Sequence, residues 1–187
     1  MTAAPPQPTA VTRHVVSALV LDRPGTLNRV SSLLRARSFN IDSLTVGSTH
    51  EPGLSRMTIV IRGDAAHTRQ VVAQLERLIE VVEVSDLTDT PRVELELALV
   101  EVAPPTTAKA RATLQRAIGL AAGELLTKAP DAWRLRLTAA PAQVERALEA
   151  LRGIGLRSLV RAGSVAMAAG SASEPSISAP QPGEISA

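Results

Sequence analysis

The chain has 187 residues, 45% of them hydrophobic, which is enough for the cores of two small domains. Only Phe39 and Trp133 are aromatic, so these cores must be aliphatic, and the absence of Cys excludes disulfides, thiolate catalysis and cysteine-based metal sites. The net charge of +2 comes from basic and acidic residues interspersed along both halves. We therefore expect no nucleic-acid binding, which needs a basic stripe.

No stretch approaches the roughly 18 consecutive apolar residues of a membrane span. Residues 1–10 lack the basic start and apolar run of a secretory signal, and a chain without Cys fits a reducing compartment. We therefore expect a cytoplasmic protein with no membrane association. Residues 1–11 and 170–187 are rich in Pro, Ser, Ala and Gly and predict disordered tails.

Residues 14–21 form a short, apolar, β-branched run, which predicts a buried strand. The turn Asp22-Arg23-Pro24-Gly25 ends this strand. Leu27, Val30 and Leu34 then recur at helical spacing and predict a helix to about residue 37. The remaining predicted elements of this half are strands over 41–49 and 55–62, a helix over 71–79 and a strand over 81–87.

This order of strand, helix, strand, strand, helix, strand predicts an α+β ferredoxin-like βαββαβ sandwich over residues 12–89. A fainter repeat of the same order predicts a second such domain over residues 90–169. Its predicted strands cover 93–102, 124–127, 133–138 and 156–160, and its predicted helices contain Ala110, Leu114, Ala117 and Ile118, then Val144, Ala147, Leu148 and Leu151.

Helices cover one face of such a sheet, so apolar residues on the other face need a partner. The run Met57-Thr58-Ile59-Val60-Ile61 is apolar on both faces, and dimerisation is the simplest way to cover it. Residues 93–102 instead alternate Glu with apolar residues, which is typical of a half-exposed strand.

Catalysis by the chain itself is not expected. His14, His50 and His67 are scattered over a strand start, a turn and a helix start, without a neighbouring ligand or nucleophile at useful spacing. The acid pairs Glu80/Glu83 and Glu94/Glu96 are interpreted as solvated faces, and no phosphate-binding loop is present.

The Pro24-Gly25 helix start is the one candidate site. Its unbonded N–H groups and the helix dipole favour an anion, and Gly25 leaves room for it. Asp22 and an amide such as that of Asn40 could hold an ammonium, so a free amino acid fits both charges. An ordinary tight turn before a helix explains the same residues and remains the alternative.

Flanking segments make the pattern more specific. Residues 13–87 resemble the ACT domain of the small, regulatory subunit of acetohydroxyacid synthase (acetolactate synthase). The resemblance is carried by Asp22-Arg23-Pro24-Gly25-Thr26-Leu27, by Asn40-Ile41-Asp42-Ser43-Leu44-Thr45-Val46 and by Ser55-Arg56-Met57-Thr58-Ile59.

The resemblance implies a homodimer formed by ACT domains, with valine or a related branched-chain amino acid bound at the dimer interface. It places one side of this site at Asp22, Gly25, Thr26 and Leu27, the other at Asn40 and Ile41, and Thr45 and Gly47 farther along the strand. It also implies a large catalytic subunit that uses thiamine diphosphate, Mg²⁺ and FAD. The small subunit would bind no cofactor itself, and would activate its partner and confer feedback inhibition.

The second half departs from the family pattern at Leu95-Glu96, Glu101 and the segments Arg161-Ala162-Gly163 and Ala168-Ala169-Gly170. Two alternatives therefore stay open. One is a free-standing ACT-type amino-acid-binding module that regulates a different enzyme or a transcription factor, and the other is a subunit that contributes residues to a shared active site.

Overall fold

The computed structural model describes residues 12–36 and 39–170. They divide into two compact units, and the second unit spans Val93–Met167. Apart from Gly170, the predicted disordered tails lie outside the described residues. No helix within the described ranges is long and apolar enough to cross a membrane.

The first unit has the predicted order of elements. They are β1 (Thr12–Leu21), α1 (Thr26–Ala36), β2 (Asn40–Ser48), β3 (Leu54–Gly63), α2 (Ala65–Leu75) and β4 (Val81–Asp86). The four strands form an antiparallel sheet in the order β2-β3-β1-β4, so β2 and β4 are its edges. The ferredoxin-like arrangement predicted for this half is confirmed.

The second unit repeats this topology. Its elements are β5 (Arg92–Val102), α3 (Ala108–Leu120), β6 (Glu124–Lys128), β7 (Trp133–Ala139), α4 (Pro141–Arg152) and β8 (Leu156–Ala168). The strand order β6-β7-β5-β8 is equivalent to that of the first sheet. The Thr107 side chain accepts a hydrogen bond from Ala110 N at the start of α3, and Pro141 occupies the first turn of α4. The predicted tandem repeat of one fold is therefore confirmed.

Helix α2 begins and ends earlier than predicted. It ends at Leu75, and tighter i→i+3 bonds follow, including Leu78 N to Leu75 O at 3.0 Å. Leu78 still packs on the core, whereas Ile79 is exposed. The apolar residues keep a helical spacing beyond Leu75, where the helix ends, because the following turn also brings Leu78 back to the core.

The two central strands of the first sheet are buried on both faces. Val16 of β1 lies opposite Ile59 of β3, and both belong to the core under the helices. On the other face Val15 lies opposite Val60, and these side chains are equally inaccessible to solvent. The apolar run of residues 57–61 is thus buried within one chain, and a dimer is not required to cover it.

Strand β5 is half-exposed as predicted, but Glu96 is not on its exposed face. The alternation is present, but the side chains that face the helices are those of Ala98, Val100, Val102 and Glu96. The outward side chains are apolar and exposed: Val93, Leu95, Leu97 and Leu99. An alternating pattern does not state which set of side chains faces inward. In β5, Ala98, Val100 and Val102 face the core. Glu96 lies on the same face because it is two residues before Ala98.

Glu96 is only 4% exposed and is stabilised by Arg161 of β8. Both Glu96 oxygens accept hydrogen bonds from the Arg161 guanidinium, from Nη2 at 2.8 Å and from Nε, and Glu145 accepts a third from Nη1 at 3.0 Å. The hydrogen bonds to Glu96 raise the pKa of Arg161 above its ordinary value. The prediction of a solvated acid pair is therefore wrong at Glu96.

Strand β8 extends eight residues beyond its predicted end. Gly163 has a φ of +82°, a left-handed conformation that favours glycine in a strand bulge. Ser158 and Val160 face outward before it, and the exposed apolar residues after it are Val165 and Met167. Before Gly163 the outward-facing residues have even numbers, and after it they have odd numbers. The alternation of apolar residues along β8 is therefore interrupted at the bulge.

Candidate functional site

The predicted site lies where β1 ends and α1 begins. Asp22 N donates to Gly53 O at 2.8 Å, so the turn is held against the β2–β3 hairpin. Gly25 has a φ of +94° and nothing within 4 Å of the position that a Cβ would take. Its surface is therefore open, and the left-handed conformation explains why glycine occurs here.

Thr26 holds the turn from inside. Its hydroxyl donates to Leu21 O at 3.0 Å, its backbone N–H donates to Arg23 O at 3.2 Å, and the residue is 5% exposed. Both donors of Thr26 are thus used within the turn, and neither points to a ligand. Thr26 positions the helix start.

The next residues of α1 carry the backbone N–H groups of the helix start. Arg29 N bonds to Gly25 O, while in the described part of the chain the N–H groups of Leu27 and Asn28 have no acceptor. Leu27 is 47% exposed, Asp22 is exposed, and no acidic residue occupies the first turn. A carboxylate could therefore bind at the helix start, with an apolar contact from Leu27. The exposed Asp22 could attract a positively charged group of the same ligand.

Asn40 and Ile41 lie far from this turn in the same chain. Asn40 pairs with Arg62, which pairs with Arg13 near the start of β1, whereas the turn follows Leu21 at the other end. At the usual rise per residue, Arg13 and Leu21 are separated by roughly 26 Å along β1. The two predicted halves of the site are therefore not brought together within one chain.

Thr45 and Gly47 lie closer to the turn along β2. Gly47 pairs with Arg56, and a Cβ at Gly47 would meet nothing within 4 Å. Thr45 is partly buried and pairs with Thr58. Because β2 is an edge strand, its outer side has no neighbouring strand within the first sheet.

One ion pair beside the turn was missed by the sequence interpretation. Glu80 precedes β4, and its Oε1 lies 2.7 Å from Arg29 Nη1 of α1. Its side chain is 13% exposed, and its backbone carbonyl accepts a bond from Leu21 N at 2.8 Å. Glu80 is therefore not on a solvated face, as its sequence context suggested, but links β4 to both β1 and α1.

The histidines form no catalytic arrangement in the described residues. His14 is buried near the strand start, where Nε2 lies 2.7 Å from Thr12 Oγ1 and 3.2 Å from Gly63 O. His50 is exposed and 3.9 Å from Glu51 in its turn. No group of three or more His, Asp or Glu side chains that could hold a metal ion occurs in the part of the chain that the structure describes.

Comparison with known proteins assigns both units. Residues 16–83 match the AHAS small subunit-like ACT domain, and residues 95–170 match the small subunit of acetolactate synthase. The acetolactate synthase small subunit of Aquifex aeolicus is 39% identical, with 84% of this chain and 81% of that protein covered. The probable acetolactate synthase small subunit of Methanothermobacter thermautotrophicus is 38% identical, with 84% and 94% covered.

A solved structure agrees with these matches. The acetolactate synthase small subunit of Thermotoga maritima superposes with a TM-score of 0.72 at 32% identity, covering 84% of this chain and 97% of that one. The first unit is thus an ACT domain, and the protein is of the class in which an ACT domain precedes a second ferredoxin-like domain. More particularly, the chain belongs to the family of acetolactate synthase small subunits, and it is a regulatory subunit.

Proposed function

We propose that this chain regulates a cytoplasmic acetolactate synthase by binding a branched-chain amino acid, with valine as the expected effector. In this proposal it associates with the large catalytic subunit, which holds thiamine diphosphate, Mg²⁺ and FAD, and binds none of these itself. Effector binding would change catalysis through a coupling free energy of about 1–3 kcal/mol. The observation that carries the effector site is the open helix start at Gly25.

The chemistry of that start suits the backbone of an amino acid. The N–H groups of Leu27 and Asn28 would bind the carboxylate, and the Asp22 carboxylate would attract the ammonium. The exposed side chain of Leu27 would contact the aliphatic side chain of the effector. Glycine at position 25 would allow the ligand to approach the backbone closely.

A homodimer would complete the site. Two copies of the edge strand β2 can pair antiparallel about a two-fold axis, and each copy then runs in the opposite direction to the other. Such pairing would bring the partner's Asn40 and the partner's Ile41 toward the end of the sheet that carries the Gly25 turn. Thr45 and Gly47 would lie along the shared edge. The separation of the two half-sites within one chain supports this arrangement.

Calorimetry with the full chain tests the effector site. We expect valine to bind, and Gly25→Asp to abolish binding, because a new carboxylate would occupy the open space and repel that of the ligand. Gly25→Asn is the matched control, since it has the same shape and backbone strain without the charge. Equal valine affinity in Gly25→Asp and the unsubstituted chain would contradict the site.

The partner half of the site is tested by Asn40→Ala. We expect the binding free energy of valine to become less favourable by about 1–3 kcal/mol if the amide is a buried hydrogen-bond partner in the dimer. Gln70→Ala on α2 removes an exposed amide elsewhere on the same unit and should leave affinity unchanged. An Asn40→Ala variant that retains full affinity would restrict the site to a single chain.

The catalytic partner is tested by reconstitution. A large subunit that binds thiamine diphosphate should co-purify with this chain, gain activity from it and become sensitive to valine. Parallel titrations with leucine and isoleucine would define the preferred effector. Capture of a different enzyme, with no effect on acetolactate synthesis, would instead support a free-standing amino-acid-binding module.

A further inference from the structure

The outward face of the second sheet carries an unusual number of exposed apolar side chains. Besides Val93 at the start of β5, seven large ones, each between 38% and 61% exposed, come from β5, β6 and β8. They are Leu95, Leu97, Leu99, Leu126, Val160, Val165 and Met167. We call this set the outer apolar face.

The alternation of β5 is inverted relative to an ordinary half-exposed strand. Polar side chains normally occupy the solvent face, yet here Glu96 points inward with its own ion pair while Leu95, Leu97 and Leu99 point outward. Single exposed apolar residues are common on protein surfaces, but contiguous patches of several hundred Å² mark interaction sites. At the observed exposures the outer apolar face presents about 600 Å² of apolar surface per chain, which is the size of a patch that marks an interaction site.

We propose that the outer apolar face packs against the same face of a second copy of this chain. Two sheets stack face to face about 10 Å apart when apolar side chains of both faces interdigitate. Two copies of this face would bury about 1,200 Å² of apolar surface, the lower bound of a standard specific interface. The observations behind this proposal come from the second unit alone and do not include the effector site or β2.

The charges on this face do not oppose self-association. Arg134 lies 2.9 Å from Glu101, and Arg136 lies 2.8 Å from Glu124, so each guanidinium is neutralised within its own chain. A face with one sign of charge would repel a second copy, whereas this one has equal numbers of both signs. Arg134 and Arg136 of β7 lie between Leu126 of β6 and the apolar side chains of β5 and β8. They would therefore form a polar side to the main apolar contact, which β5 and β8 provide.

The face also has a recess for a partner side chain. A shallow depression of about 240 Å³ is lined by apolar side chains, with the Glu101–Arg134 pair at its margin. Its apolar walls come mainly from Leu99, Leu126 and Val160. A leucine or methionine of the second copy fits such a recess, and well-packed apolar pockets of this kind contribute most of the energy of an interface.

Introduced cysteines provide the test, because the natural chain has none. Leu97→Cys, Leu99→Cys and Val160→Cys are made singly in the full chain and treated with a short bismaleimide. Gln115→Cys, exposed on α3 at the opposite side of the sheet, is the matched control. We expect at least one of the three face positions to cross-link two chains with a yield at least fivefold above the control. All three should also label with a monofunctional maleimide more slowly in concentrated than in dilute protein.

The proposal is overturned if all three positions label as fast as Gln115→Cys at every concentration and none cross-links. It is also overturned if these positions become protected only when the catalytic subunit is added, since the face would then belong to that subunit. Thr45→Cys, on the edge strand β2, monitors the other proposed contact separately. If Thr45→Cys does not cross-link while the outer apolar face does, the proposed β2 pairing is contradicted and the outer-face contact is supported.

Discussion

The two sheets share one strand order but meet solvent differently. In the first sheet, β1 and β3 are continuous apolar runs and are buried on both faces. In the second sheet, the equivalent strands β5 and β7 alternate, and one face remains exposed. The difference shows that a common topology does not determine how much of a sheet is core. The residue pattern of the central strands decides that.

The comparison is tested most strongly by placing a charge on the outward face of each sheet, in the central strand β3 of the first and the edge strand β8 of the second. Val60 and Val160 are both on the face of their sheet that lies away from the helices, at 1% and 61% exposure. Val60→Asp should lower the free energy of unfolding by about 4–5 kcal/mol, because the carboxylate has no partner in the interior. Val160→Asp should change it by about 0.5 kcal/mol or less in dilute protein.

Urea unfolding followed by far-UV circular dichroism measures both variants. Equal losses of stability would show that the second sheet is as fully buried as the first. A Val160→Asp chain that keeps its fold but loses self-association at high concentration would instead match the exposed face described above.

The second prediction concerns the ion pair that turns Glu96 inward. Arg161→Met should destabilise the second unit by about 3 kcal/mol, because it leaves the buried Glu96 carboxylate without its main partner. Trp133 is the only tryptophan of the chain and lies in β7, so its fluorescence reports the unfolding of this unit. The double variant Glu96→Leu/Arg161→Met should recover most of the loss, since it removes both charges together.

Arg152→Met is the matched control within the same side-chain network. Arg152 contacts Glu145 and Glu149, but all three side chains are largely exposed to solvent. Surface pairs of this kind contribute little because water already stabilises the separated charges. If Arg152→Met were as harmful as Arg161→Met, the burial of Glu96 would not explain the effect.

The fold was readable from the sequence because local patterns agreed with it. β-branched runs, a Pro-Gly helix start and helical spacing of leucines predicted the order of elements in both units. Three features were not readable. The end of α2 was masked by Leu78, which returns to the core from a turn, and the true end of β8 was hidden by the bulge at Gly163. The direction of Glu96 depended on a residue 65 positions away, Arg161.

The candidate site was readable only in part. A helix start with an open surface at Gly25 follows from local residue types, and anion binding there stays a prediction. The distance between Gly25 and Asn40 could not be obtained in this way, since it depends on the register of three strands. Thr26 also proved to use its hydroxyl within the turn, a detail that depends on the position of the Leu21 carbonyl.

The smallest expected effect compares one glycine from each unit. Gly25 and Gly155 have nearly the same backbone conformation, with φ of +94° and +96°. A Cβ at Gly155 would lie 3.1 Å from Ala103 Cβ, whereas one at Gly25 would meet nothing within 4 Å. Gly25→Ala should therefore cost only the backbone strain, about 1 kcal/mol, and Gly155→Ala about 2 kcal/mol.

Thermal unfolding of the two alanine variants measures this difference. The double variant Gly155→Ala/Ala103→Gly removes the close contact between the two Cβ atoms. It should therefore recover the stability lost to that contact, but not the stability lost to backbone strain at position 155. If Gly155→Ala costs no more than Gly25→Ala, the turn before β8 can move away from Ala103 and is not tightly packed. The larger cost at Gly155 would instead indicate that the second unit uses a left-handed glycine to close its fold. The left-handed glycine of the first unit, Gly25, precedes α1 and is exposed, as the proposed ligand site would require.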